Sequence, residues 1–266
     1  MNDARNLPDS ILALPNIGKW RNHKTLQGVD LLSLGAPCVD DRINGGLKRN
    51  ALHEIFVAQD GDVATASAFA LLLTLRLNSE NRRVYWIGEE KQERMAGRIY
   101  APGLVAMGAD PAQIVIVRTA NMLDALRASA DVIRSKAASA VIIEAHGSAK
   151  MIDMTSSRRL SLAAADAGVL ALLVRVDAMP MPSAASSRWQ IRSAPSTPLP
   201  ANAPGMPTFD ISLLRHRSGI PPFETTIVWD YERQIFHDAP LSGGLSAVAS
   251  GGAADPGTYS RTEATA

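Results

Sequence analysis

Residues 51–78 read ALHEIFVAQDGDVATASAFALLLTLRLN, and the fold class follows from how this stretch is parsed. Ala51 to Ala58 is a short β-rich run placed after Gly45-Gly46. Val63 to Asn78 is rich in Ala and Leu and free of Gly and Pro, which predicts a helix. That helix is apolar nearly all round, so it must be buried against something broad, such as a sheet. A strand, a glycine-containing loop and a buried helix, in that order, also make the place where a phosphate-binding loop would sit.

The same alternation continues outward. Arg83 to Gly88, Gln113 to Arg118, Ala140 to Ala145 and Val169 to Val176 read as strands. Glu89 to Met107 is helical in part, with a break expected at Pro102-Gly103. Asn121 to Lys136 carries Leu123, Leu126, Ala130 and Ile133 at helical spacing, with Asn121 as its cap, and Ser157 to Ala167 is a further helix. Continuously apolar strands alternating with helices predict a mostly parallel sheet covered on both faces.

From Met179 to Pro207 the composition shifts to Pro, Ser, Ala and Met, which predicts a long loop. Phe209 to His216 and Glu224 to Asp230 read as strands joined through Arg217-Ser218-Gly219 and Pro221-Pro222, an antiparallel hairpin closing the sheet. Tyr231 to Phe236 adds a short strand. The domain reading is an N-terminal arm over residues 1–30, a core over 31–238 containing a Pro/Ser-rich loop at 179–207, and a disordered tail over 239–266.

With 266 residues, one α/β domain with loose ends fits the length as well as two small domains do. Hydrophobic residues at 46% and charged residues at 20% give a globular composition. Lys plus Arg is 27 and Asp plus Glu is 26, which excludes a bulk electrostatic grip on nucleic acid or membrane and leaves only local patches. Cys38 is the one cysteine, so no internal disulfide framework exists and a reducing, cytoplasmic location is expected. No apolar run is long enough for a membrane span.

A phosphate loop needs backbone N–H groups turned to the anion, a lysine, and a Ser/Thr hydroxyl for the metal. The loop here offers Gln59, Asp60, Gly61, Asp62, Val63, Ala64 and Thr65. It has one glycine, no lysine and two carboxylates, which suit a helix N-terminus as caps and repel a triphosphate. Strand ends supply Glu89, Glu90, Glu144 and His146, at the sheet edge where ligands of parallel sheets bind. Their spacing supports no metal motif, and no metal or cofactor is expected. No nucleophile elbow is present. Trp189 between Arg188 and Arg192 reads either as an exposed anchor for a partner or a base, or as one packed Trp among solvated charges. Trp229 on its alternating strand reads as core.

These residues resemble the entry of the RecA recombinase core. Leu34-Gly35, Asp40 to Leu47 (DDRINGGL) and His53-Glu54-Ile55 are similar to its "TG…LD..LGGGL..G.I.EI" pattern. Ile99-Tyr100-Ala101, Leu104 and Gly108-Ala109-Asp110 follow its "IYA..LG.D" stretch. Glu90 falls at the water-orienting glutamate and Glu144 at the Walker B acid. Where RecA has "GPESSGKTT", this chain has VAQDGDVAT: Val63 replaces the lysine, Ala64 the following hydroxyl residue, and Thr65 alone keeps a hydroxyl. The resemblance covers about residues 32–236 and implies a RecA-like three-layer α/β core. The SSRWQIRSAPS segment before the last hairpin narrows the likeness to the ImuA family, accessory proteins of the damage-inducible mutagenesis cassette.

That resemblance implies a non-catalytic adaptor, not an enzyme, in SOS-induced translesion synthesis. Its implied partners are an ImuB-like protein, an error-prone DNA polymerase III alpha-type subunit and RecA, with nucleic acid contacted indirectly or weakly. Arg188, Trp189, Arg192, Phe209, Arg215 and Arg217 are the expected partner contacts. Two alternatives stand beside it: a SulA-like division inhibitor that binds the tubulin-like division protein, and a RecA-like ATPase with an unorthodox loop.

Overall fold

A computed structural model describes residues 30–77, 82–147, 151–203 and 205–240. The expected arm and tail lie outside the described residues, apart from Asp30, Ala239 and Pro240. The chain opens with β1 (Leu31–Leu32), α1 (Pro37–Asp40) and β2 (Leu47–Lys48), the two strands pairing antiparallel as a small separate sheet. The main body follows as β3 (Leu52–Val57), α2 (Val63–Leu75), β4 (Arg83–Glu89), α3 (Glu90–Ala96), α4 (Ala101–Ala106), β5 (Ile114–Thr119), α5 (Met122–Ser135), β6 (Ala138–His146), α6 (Met154–Ala167) and β7 (Leu170–Val176). The last part holds β8 (Ser187–Ser193), β9 (Thr208–His216), β10 (Phe223–Asp230) and β11 (Ile235–Asp238), with a 3-10 turn at Pro200–Asn202 between β8 and β9.

Nine strands form one sheet in the order β11-β10-β9-β8-β3-β7-β6-β4-β5. From β5 to β8 every pair is parallel, and from β8 to β11 every pair is antiparallel. This is the α/β architecture expected from the sequence, with its antiparallel C-terminal hairpin. Alternation along each parallel strand sends side chains to two cores. Ile55, Ile142, Leu172 and Val174 pack with Ala66, Phe69 and Leu73 of α2. Val141, Ile143, Ala171 and Leu173 pack with Ala125 and Ile133 of α5 and Leu160 and Ala164 of α6.

α2 is apolar all round because Leu34, Val39 and Ile43 join its core cluster along with the sheet, so two layers bury it. α5 has its expected cap, with the Asn121 side chain accepting the Asp124 N–H at 3.0 Å. It stops at Lys136, held at φ 57°, left-handed for a residue with a Cβ.

Three expectations are corrected. The helix after β6 begins at Met154, earlier than Ser157, because Asp153 and Ser156 close a capping box. The helical break in 89–107 falls from Gly97 (φ 99°) to Tyr100, and Pro102 instead opens α4, where its missing N–H costs nothing. The 179–207 loop contains β8, which inserts beside β3 and joins the parallel half of the sheet to the hairpin. No described helix is long and apolar enough to cross a membrane.

Candidate functional site

The candidate site is the carboxyl edge of the parallel strands. β3 ends at Val57, and the Ala58 N–H donates to the Ile191 carbonyl at 3.1 Å, binding the chain to β8 as it leaves the sheet. Asp60–Asp62 then form a tight 3-10 turn, with the Asp62 N–H on the Gln59 carbonyl at 2.8 Å. Asp62 holds the N-cap position of α2 but makes no capping bond, which corrects the expected cap. Its carboxylate is fully buried and turns to β8, where one oxygen accepts the Ser193 N–H at 2.9 Å and the Ser193 hydroxyl at 2.7 Å. Gln59, Asp60, Gly61 and Ala64 are exposed, while Val63 and Thr65 are half-buried. A negative charge thus stands directly before the helix N-terminus that would otherwise attract an anion. The 59–65 loop supplies no lysine to offset it.

The two strand-end glutamates have separate surroundings. Glu144 on β6 accepts the Trp86 indole N–H at 3.1 Å and bonds the His146 Nε2 at 2.7 Å. Glu90 opens α3, pairs with Arg94 one turn on, and leaves its side chain 47% exposed. Glu93 sits between them in sequence and takes a bidentate pair from Arg118 of β5, with one bond at 2.8 Å. The guanidinium holds the Glu93 carboxyl below its usual range.

Trp86, Gly88, Glu93, Arg118, Glu144 and His146 line a cleft of about 50 Å³, and Glu90 is not part of it. Small-molecule sites occupy roughly 300–1,000 Å³, so this cleft is of a size for a water or a small ion. Among the described residues no group of three or more His, Cys, Asp or Glu side chains is arranged to hold a metal ion.

The expected partner contacts divide. Trp189 is 1% exposed: it lies in β8, not on a loop, and its indole packs edge-on against Phe223 at 5.9 Å. Phe209 is 2% exposed and packs against Phe69 and Phe236. Arg188 is buried and donates its Nε–H to Glu54 at 2.9 Å. These three are corrected from surface to interior, because alternation on β8 and β9 turns Trp189 and Phe209 to the α2 core. Arg192, Arg215 and Arg217 are exposed, and Arg192 pairs with Asp210 at 3.2 Å.

No family model matches the chain. Protein ImuA of Caulobacter vibrioides, from each of two strains, is 29% identical over 206 residues, spanning 72% of this chain and 80% of its own length. The likeness supports membership of the ImuA family.

Sequence reasoning quoted His53 and Glu54 only for their resemblance and passed over Arg175, yet all three are buried in the centre of the sheet. Glu54 is joined to Arg188 and Ser183, and His53 to Ser187 and the Lys48 carbonyl. Their sequence signal was available: polar residues inside apolar strands need partners within the protein.

Proposed function

We propose that the chain is a non-catalytic adaptor of the ImuA/ImuB mutagenesis cassette, acting in the cytoplasm during SOS-induced translesion DNA synthesis. It holds an ImuB-like protein and supports an error-prone DNA polymerase III alpha-type subunit. RecA is a further contact, and nucleic acid is met only indirectly or weakly. The observation that supports the non-catalytic part is the bond of Asp62 to Ser193, which fixes a carboxylate just before the N-terminus of α2. The likeness to ImuA supports the cassette. Exposed Arg192, Arg215 and Arg217 on and beside β8 and β9 remain the candidate contacts.

The test is complementation of a strain lacking the gene, scored as damage-induced mutation frequency. The chain should restore mutagenesis, and so should a folded Glu90→Ala/Glu144→Ala double variant, because neither carboxylate does chemistry. Loss of mutagenesis with an unchanged melting temperature would mean that the strand-end acids act catalytically. Failure of the unaltered chain to restore it would remove the cassette role.

A further inference from the structure

Arg175, near the carboxyl end of β7, is 4% exposed and its Nε–H has no partner. The buried orphan is the Nε–H alone; the terminal amino groups are not buried without a partner. Buried polar groups are nearly always paired, so a buried N–H without an acceptor is an exception. The guanidinium lies 5.6 Å from the centroid of the Phe56 ring, and that of Arg188 lies 5.8 Å from the same centroid. Glu54 is the acid whose charge acts on Arg175 among the described residues, and its carboxylate is already taken by Arg188 and Ser183. Two guanidiniums and one carboxylate leave the cluster one negative charge short.

The cluster is on the opposite side of the sheet from the phosphate position. Arg175 continues the alternation of Ala171 and Leu173, which pack on α5 and α6, whereas Ile55 packs on α2. Residues 177–186 have no regular structure and run between β7 and β8. Ser183 bonds Glu54 at 2.8 Å, and Arg188 bonds the Met181 carbonyl and the Ser183 hydroxyl, so this strap closes the cluster. It starts at Asp177, held left-handed at φ 50°, and the register of β8 against β9 shifts between Arg188 and Trp189 at its far end. Met179 and Met181 face solvent along it.

We propose that Arg175 and Arg188 form an oxyanion site that takes a phosphate group beneath the 177–186 strap. A phosphate supplies both missing elements, a negative charge and an acceptor for the Arg175 N–H, and its oxygens match the guanidinium fork. Entry requires the strap to lift, with Asp177 as one hinge. The site is independent of the adaptor reading and stands or fails without it.

The experiment measures melting temperature at constant ionic strength for the full chain and for Arg175→Met. Inorganic phosphate replaces chloride in one arm, and a thymidine oligonucleotide is added in the other. Phosphate stabilises folded proteins generally by exclusion from their surfaces, so the readout is the difference between the two proteins. In chloride, Arg175→Met should melt higher than the unaltered chain, because an unneutralised buried charge is gone. The unaltered chain should gain a saturating increment that Arg175→Met lacks. An increment with inorganic phosphate identifies a free phosphate, and one with the oligonucleotide alone a phosphodiester. No Arg175-dependent increment in either arm overturns the site. If Arg175→Met does not fold, Arg175→Lys keeps the charge but not the fork, and its half-saturation should rise about tenfold. An unchanged half-saturation overturns the proposal equally.

Discussion

Ser193 donates both its N–H and its hydroxyl to a single carboxylate oxygen of Asp62, at 2.9 and 2.7 Å. The pair joins the loop in front of α2 to β8, so the loop cannot wrap an anion without breaking two hydrogen bonds to a buried charge. Hydrogen bonds to charged groups are worth about 1.5–3 kcal/mol each.

Mg-ATP should therefore leave the melting temperature of the chain unchanged. A ligand present at 100 times its Kd would add about 2.7 kcal/mol, a shift well within reach of a thermal melt. Ser193→Ala removes the hydroxyl donor and should cost about 1–3 kcal/mol in urea unfolding. Stabilisation by millimolar Mg-ATP would restore the ATPase alternative.

Trp189 and Arg215 should behave in opposite ways. Trp189 fills the core between β8 and Phe223, so Trp189→Ala should lose about 3–5 kcal/mol of stability. Arg215 is exposed, and Arg215→Glu should stay within about 0.5 kcal/mol. Any loss of partner binding in Arg215→Glu then reports the surface itself. A Trp189→Ala protein that melts normally would contradict the burial of that ring.

His53 gives the fold a pH dependence. The Lys48 carbonyl only accepts, so the His53 Nε2 carries the proton; Nδ1 accepts the Ser187 hydroxyl, whose oxygen accepts the Trp189 indole N–H. Burial pushes the imidazole down to about 4 from an ordinary 6.5. Unfolded chains then bind more protons than folded ones between those values, so stability is complete above pH 6.5 and falls as pH drops toward 4, by about 3 kcal/mol in all. Burial lowers His216 as well and adds to the same trend. Burial raises the Asp40 carboxyl, which favours the folded state at low pH and opposes it. Urea midpoints between pH 7 and pH 5 should fall for the unaltered chain and fall less for His53→Gln. Equal slopes would mean that His53 is not held neutral.

Strands β4 to β7 were legible because each is built around a continuous apolar run, which only a sheet covered on both faces permits. Asn121 marked its helix start because capping is local chemistry. β8 was not legible. SRWQIRS places charges on one side and Trp189 and Ile191 on the other, and the surrounding Pro and Ser residues made it look like part of a loop. Arg188 counted as a surface charge because its partner, Glu54, is 134 residues away. The same distance effect hid the true role of Asp62: its position before a helix suggested a cap, and its bond goes to Ser193, 131 residues on. Local rules found the elements, and the long-range polar pairs required the sheet order.

The most direct measurement is affinity purification of the tagged protein from its own cells after DNA damage, with the bound proteins identified. An adaptor of the mutagenesis cassette should bring down the ImuB-like protein and the error-prone polymerase alpha-type subunit. Recovery of the tubulin-like division protein without either of them would contradict the adaptor and support a division inhibitor.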